Sequence, residues 1–333
     1  GDDAANDLAH DNAADGRAAD DPYARYAHLA GEHLDDVEPM RRRRARKTRP
    51  ERTGRLTEEA RGRLAMTRAD EEAGDGPPGA DRWSTWDTGD RGPRPWPTWV
   101  ITDLAAVDHE LGVLKTGKEA DVHLVERAVP GTGRSCLMAA KRYRTNEHRM
   151  FHRDAGYLEG RRMRRSREMR AIAHRTAYGR NIIAEQWAIA EFATLGRLWS
   201  IGAPVPYPVQ RNGTELLLEF VGDAAGRAAP RLAELHPEGA ELRELWHQLV
   251  SAMALLASVG LAHGDLSPYN VLLHEQRLIL IDLPQAVDIV ANPNGIGYLE
   301  RDARTVASWF RARGLPESLT ANVVDEVRTA AGR

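Results

Sequence analysis

The sequence predicts an α+β protein of two lobes, a small antiparallel β lobe followed by a helical lobe. Three observations lead there. Short apolar runs separated by polar turns fill residues 111–143 and return in the stretch that ends at Gly222. One long helical pattern lies between them at 180–199, and helical periodicity dominates beyond residue 240.

Ahead of these elements, residues 1–98 read as a charged tail followed by a Trp/Pro-rich linker. Residues 1–40 are acidic, with pairs such as Asp2-Asp3, Asp20-Asp21 and Asp35-Asp36, and "RRRRARK" at Arg41 to Lys47 reverses the sign. Like charges in blocks repel and bury little, so a disordered, solvated N-terminal tail is expected. The basic run is either a contact for RNA or an acidic partner, or simply a solvated face. "GDGPPGADRWSTWDTGDRGPRPWPTW" carries Trp83, Trp86, Trp96 and Trp99, and aromatics in a linker are expected to dock on a folded surface. The single cysteine, Cys136, excludes an internal disulfide and a cysteine-built zinc site. No apolar run nears the roughly 18 residues of a membrane span, and no signal pattern opens the chain, so a cytoplasmic protein with no membrane partner is expected.

Residues 99–222 form the expected N-lobe. "LGVLKTGKEADVHLVE" (111–126) has two apolar runs around a polar turn and reads as a hairpin. "SCLMAAKRY" (135–143) supplies a third strand. The helix at 180–199 buries Ile183, Trp187, Phe192, Leu195 and Leu198, which share one face. Asn212-Gly213 turns between two further strand-like runs, giving five strands and one long helix. Residues 223–333 form the expected C-lobe. It opens on a helix with Leu242, Leu245, Trp246, Leu249, Met253 and Leu256 in one stripe, stopped at Gly260. A second amphipathic helix begins at "YLERDARTVASWF".

Between those helices lies "LAHGDLSPYNVLLHEQRLILIDLPQ" (261–285). "VLLH" and "RLILI" flank Glu275-Gln276 and predict a tight hairpin, whose closed ends bring Asn270 beside Asp282. One amide oxygen and one carboxylate, both hard ligands, suit magnesium. Asp265 sits five residues ahead of Asn270, on a loop closed by Pro268, where it can orient or accept the proton of an attacking hydroxyl. His263 reads as a structural histidine that braces this loop. The upstream half should then grip a nucleotide. In "KTGKEA" the residues Thr116, Gly117, Lys118 and Glu119 can cradle phosphates through backbone N–H groups. Lys141 stands in an apolar strand, where a lone ammonium needs a partner, and Glu191 on the following helix is the candidate. Glu219 and Phe220 fall where the lobes join, where backbone groups can meet adenine. Together these parts are the apparatus of phosphoryl transfer.

"KTGKEADV", the "AAK" strand, "LLLEFVG", "HGDLSPYNVLL", "LILIDLPQAVD" and "LERDARTV" together closely resemble the RIO-type atypical serine/threonine protein kinases, over about residues 108 to 313. The resemblance implies a two-lobed protein-kinase-like fold, with ATP and Mg2+ as cofactors. It implies that Lys141 contacts the nucleotide phosphates and pairs with Glu191, that Asp265 is the catalytic base, and that Asn270 and Asp282 hold magnesium. Thr116, Lys118 and Glu119 would cover the phosphates, and the acceptor would be Ser or Thr of a protein, this chain included. The Arg-rich insert after Lys141 resembles the first, bacterial-like RIO subfamily rather than the second, whose winged helix is not evident here. Twelve arginines between positions 142 and 180, with Arg41 to Arg44, offer contacts to RNA or a ribosomal particle. Two other readings stand beside this one: an ATP-driven assembly switch on a ribonucleoprotein, and a small-molecule phosphotransferase like the aminoglycoside and choline kinases, which share "HGDL…N". The chain departs from the RIO pattern at Gly264, commonly Ala, and at Leu283-Pro284, commonly Val-Ser. Ser267 stands where ordinary protein kinases place a lysine.

Overall fold

The computed structural model describes residues 77–144, 177–283 and 286–332. The acidic tail, the Arg41–Lys47 run and the Arg-rich insert at 145–176 lie outside the described residues, as do Pro284 and Gln285. Two short strands come first, β1 (Arg82–Trp83) and β2 (Asp90–Arg91). Three ten-residue strands follow as a meander: β3 (Val107–Thr116), β4 (Ala120–Val129) and β5 (Arg134–Tyr143). Helix α1 (Ala177–Ser200) leads to the hairpin β6 (Pro208–Asn212) and β7 (Glu215–Glu219). These strands form one seven-stranded antiparallel sheet in the order β1-β3-β4-β5-β7-β6-β2. The sequence predicts five. The two extra strands come from the Trp-rich linker and sit one at each edge. The β6–β7 turn also falls one residue later than Asn212-Gly213, because Asn212 pairs with Glu215 and Gly213 takes the positive φ of 56°.

Strand alternation gives the sheet two buried faces. On β5, Met138 and Ala140 point to the outer face while Ala139 and Lys141 point into a cleft. The linker covers the outer face: Trp86 and Val100 pack with Val125, Met138, Tyr207 and Leu217, and Trp96 and Trp99 flank them. Trp86 meets Trp96 edge to face at 5.0 Å between ring centroids. The expected docking of the linker tryptophans is therefore present. The same region buries Arg127 completely, held bidentately by Asp108 at 2.7 and 3.0 Å and by Gln210 at 2.7 Å. A buried guanidinium survives only with its donors filled in this way.

Helix α1 turns Ile183, Trp187, Leu195 and Leu198 into the second core, which continues into the helical lobe; Phe192 is partly buried against it. That lobe opens with α2 (Gly239–Ser258), whose predicted stripe is wholly buried and which ends at Gly260 with φ +77°. Next come β8 (Leu261–Ala262), β9 (Val271–His274), β10 (Arg277–Leu280) and β11 (Val287–Asp288), then α3 (Gly295–Ala312), α4 (Glu317–Thr320) and α5 (Val323–Ala330). Strand β9 pairs with β10, and β8 with β11. The observed architecture is the expected α+β arrangement of a sheet lobe and a helical lobe. Because Trp86 is only 3% exposed, Trp86→Ala should lower stability by about 3–5 kcal/mol in denaturant melts. An undocked linker would leave the melt unchanged.

Candidate active site

The cleft between the lobes has a volume of about 500 Å³. Val122, Ala139, Leu218 and Leu272 make an apolar section, and Lys141, Glu191 and Asp282 make a charged end. Lys141 is 8% exposed, a setting that by itself disfavours an ammonium. Its Nζ donates to Glu191 Oε1 at 2.7 Å and to Asp282 Oδ1 at 3.4 Å. Burial would lower the lysine pKa, but the two carboxylates outweigh it and hold the group above its ordinary value. Glu191 is further fixed by the Tyr143 hydroxyl, which donates to its other oxygen. The sequence-predicted pair of Lys141 and Glu191 is thus in contact, with Asp282 as a second counter-charge.

The hairpin β9–β10 carries Asp282 to this place. Glu275 and Gln276 have φ of 48° and 63°, the left-handed pair that a two-residue hairpin turn requires. The register closes with Val271 opposite Leu280, and Ile281 N–H donates to Asn270 O at 3.0 Å. Asn270 and Asp282 therefore leave the hairpin at its same end. The Asn270 Nδ2 donates to Asp265 O at 2.9 Å, which leaves its Oδ1 as the atom able to face a cation. Asp282 itself has φ +63°, a conformation that Asp tolerates better than most residues. Burial would raise its pKa, but Lys141 and Lys115 outweigh this and hold it at about 2. Lys115 reaches Asp282 Oδ2 at 3.2 Å.

The loop that bears Asp265 is held from below. His263 is buried, with Nε2 3.0 Å from Ile281 O and Nδ1 accepting Asp265 N–H at 3.4 Å, the bracing position read from the sequence. Gly264 turns the loop at φ +86°, where a side chain would be strained. Asp302 on α3 accepts Gly264 N–H at 2.6 Å and Leu266 N–H at 3.1 Å, and Arg301 donates to Gly264 O. Burial keeps the Asp302 carboxyl above its ordinary pKa despite these donors. The Asp265 side chain, in contrast, is exposed. Sequence reasoning passed over Asp302 and Lys115. The signal for Asp302 was a carboxylate between Leu299 and Ala303 on the apolar stripe of α3.

Other predicted residues are placed less directly. Glu219 and Phe220 line the cleft at its rim. Glu219 is tied to Tyr207 twice: its N–H donates to Tyr207 O, and its carboxylate accepts Tyr207 N–H at 2.9 Å. Thr116 ends β3, and Gly117, Lys118 and Glu119 form the turn to β4; none of the four lines the cleft, whereas Leu114 and Lys115 do. Gly117 N–H closes the turn on Ala120 O at 3.0 Å, and a Cβ on Gly117 would stand 2.7 Å from that oxygen.

A family model described as the RIO domain matches residues 129–323, more than half of the chain. The chain belongs to the RIO domain family. The match begins within β4, so the turn at 116–119 precedes it. The chain is 36% identical over 204 residues to the RIO-type serine/threonine-protein kinase Rio1 of Haloferax volcanii, covering 61% of this chain and 63% of that relative. To serine/threonine-protein kinase RIO1 of Saccharomyces cerevisiae it is 29% identical over 238 residues, 65% of this chain and 46% of the relative. To serine/threonine-protein kinase RIO3 of Homo sapiens it is 34% identical over 139 residues, 41% and 26%. The chain spans less than two thirds of the length of these relatives. The likeness extends to both RIO1 and RIO3 names and does not single out one subfamily. Among the described residues no helix is long and apolar enough to cross a membrane.

The charge geometry fixes the sign of a pH effect. Asp282 has an ordinary value of 3.8 and is held at about 2 in the fold, so it stabilises the fold above the ordinary value and loses that contribution as pH falls towards about 2. Asp282→Asn should therefore melt below the wild type at neutral pH. The gap should close progressively below pH 3.8, and a gap independent of pH would mean the carboxylate charge is not its source.

Proposed function

We propose that this chain transfers a phosphoryl group from ATP to a protein hydroxyl, the serine/threonine kinase activity carried in the names of its relatives. The observation that carries the reading is the junction of Lys141, Glu191 and Asp282 in an apolar cleft; the exposed Asp265 stands on the loop that Asn270 and Asp302 brace. An adenine ring suits the section formed by Val122, Ala139, Leu218 and Leu272. Its phosphates then run towards Lys141, whose ammonium is kept charged and aimed by Glu191.

The donor set fits magnesium. Among the described residues no group of three or more His, Cys, Asp or Glu side chains is arranged to hold a metal alone. Magnesium is commonly held by one or two protein oxygens together with substrate phosphates. Asp282 and the free Oδ1 of Asn270 supply that pair. A bound magnesium ion would supply charge neutralisation on the phosphate oxygens. Asp265 does the remaining work: its exposed carboxylate orients the acceptor hydroxyl and takes its proton. The acceptor is a Ser or Thr of a protein, this chain included.

Three variants test the assignments. Asp265→Asn should keep ATP binding by calorimetry and lower transfer of labelled phosphate by about 10²–10⁴-fold. Lys141→Met should weaken nucleotide binding, and Asp282→Ala should abolish magnesium-dependent turnover. Unchanged transfer in Asp265→Asn would sink its role. Turnover with an amino-alcohol panel but with no protein would sink the protein acceptor.

A further inference from the structure

Lys115 has no part in the reaction described above, yet it reaches across the cleft from the sheet lobe to the helical lobe. The cause is local. The pairing of β3 with β4 slips between Val113 and Lys115: Val113 faces His123 and Lys115 faces Val122, so Leu114 is the extra residue of a bulge. In a regular strand, Leu114 and Lys115 would point to opposite faces. The bulge re-aims them, and both line the cleft. From there the Lys115 Nζ meets Asp282 Oδ2 at 3.2 Å while Lys141 holds the other oxygen.

The two lysines differ in how firmly they are held. The Lys141 side chain is 10% exposed and committed to Glu191 at 2.7 Å. Lys115 is 43% exposed, and Asp282 is the one salt-bridge partner it has among the described residues. Withdrawing Lys115 strands no buried charge. The loop from Asp265 to Asn270 meanwhile carries no basic side chain of its own, with Ser267 at the place where a lysine serves other kinases. A site for a polyphosphate therefore has one fixed ammonium and one movable one.

We propose that Lys115 is a movable phosphate-binding residue: it rests on Asp282 while the cleft is empty and passes to the phosphate oxygens of the nucleotide when a divalent cation takes Asp282. Lys115 then competes with the metal for the carboxylate in the empty site and assists the nucleotide in the filled one. This rests on the nucleotide reading of the cleft. It gives the single substitution Lys115→Met opposite effects on two ligands.

Calorimetry on the full chain separates them, with Mg2+ alone, ATP with EDTA, and ATP with Mg2+ as probes. In Lys115→Met, Mg2+ alone should bind several-fold more tightly, because a competing cation is gone. ATP in EDTA should bind about tenfold more weakly, because with no metal on Asp282 the Lys115 ammonium neutralises that carboxylate, and Met leaves its negative charge facing the phosphates. Lys115→Arg should restore ATP binding in EDTA, and a matching melting curve for each variant excludes misfolding. Equal affinities for all three probes in Lys115→Met and wild type would overturn the proposal and leave the nucleotide reading intact. Weakened binding of both Mg2+ alone and ATP would also overturn it, since competition requires opposite signs. Failure of the wild type to bind ATP under either condition would sink the nucleotide reading itself, and this proposal with it.

Discussion

A single buried ammonium organises the centre of this protein. Lys141 stands in β5 with almost no access to water, so it stays charged only where carboxylates surround it. Those carboxylates come from two other elements, Glu191 on α1 and Asp282 after β10. Sheet, helix and second lobe are joined at one nitrogen. The joint is also held from a distance: α1 buries Ile183, Trp187 and Leu195 in the same core as α2 and α3, so the packing of the helical lobe sets where Glu191 stands. The Tyr143 hydroxyl on β5 holds the other Glu191 oxygen from the sheet side.

A second principle is the separation of grip from reach. Asp265, Asn270 and Asp282, proposed to bind or move charge, sit in a loop or at element ends, while residues behind them fix the backbone. Asn270 spends its amide nitrogen on Asp265 O, and Asp302 spends both carboxylate oxygens on the N–H groups of Gly264 and Leu266. The loop is thereby set in shape while the Asp265 carboxylate stays exposed. Orientation is supplied in advance, which is the contribution a protein makes to a reaction whose chemistry is mostly positioning.

Much of this was legible because it depends on short-range rules. A two-residue turn fixes the hairpin register, and the register puts Asn270 and Asp282 at the same end of the hairpin. A lysine in an apolar strand demands an acid, and Glu191 was the acid on the next helix. Where the sequence fell short, the missing information was non-local or aperiodic. Strands of two residues, such as Arg82–Trp83 and Asp90–Arg91, have no alternation to detect, and only the tryptophans around them marked the segment as structured. The bulge at Leu114 breaks the alternation on which Lys115 would have been assigned a face. Asp302 lies 36 residues beyond Leu266, and only the packing of α3 under the loop reveals their bond.

The linker's place in the sheet order carries one more consequence. A sheet made of the long strands alone would end on β3 at one side and β6 at the other, each offering a row of unpaired N–H and C=O groups. Strands of this kind are templates on which other chains can add and aggregate. One preceding segment pairs with both edges, Arg82–Trp83 with Asp108 and Val107 of β3 and Asp90–Arg91 with Arg211 and Gln210 of β6, and each cap is too short to serve as a template in turn. Residues 82–91 thus shorten the open edge on both sides of the sheet, a part played by a stretch whose composition looks like that of a spacer.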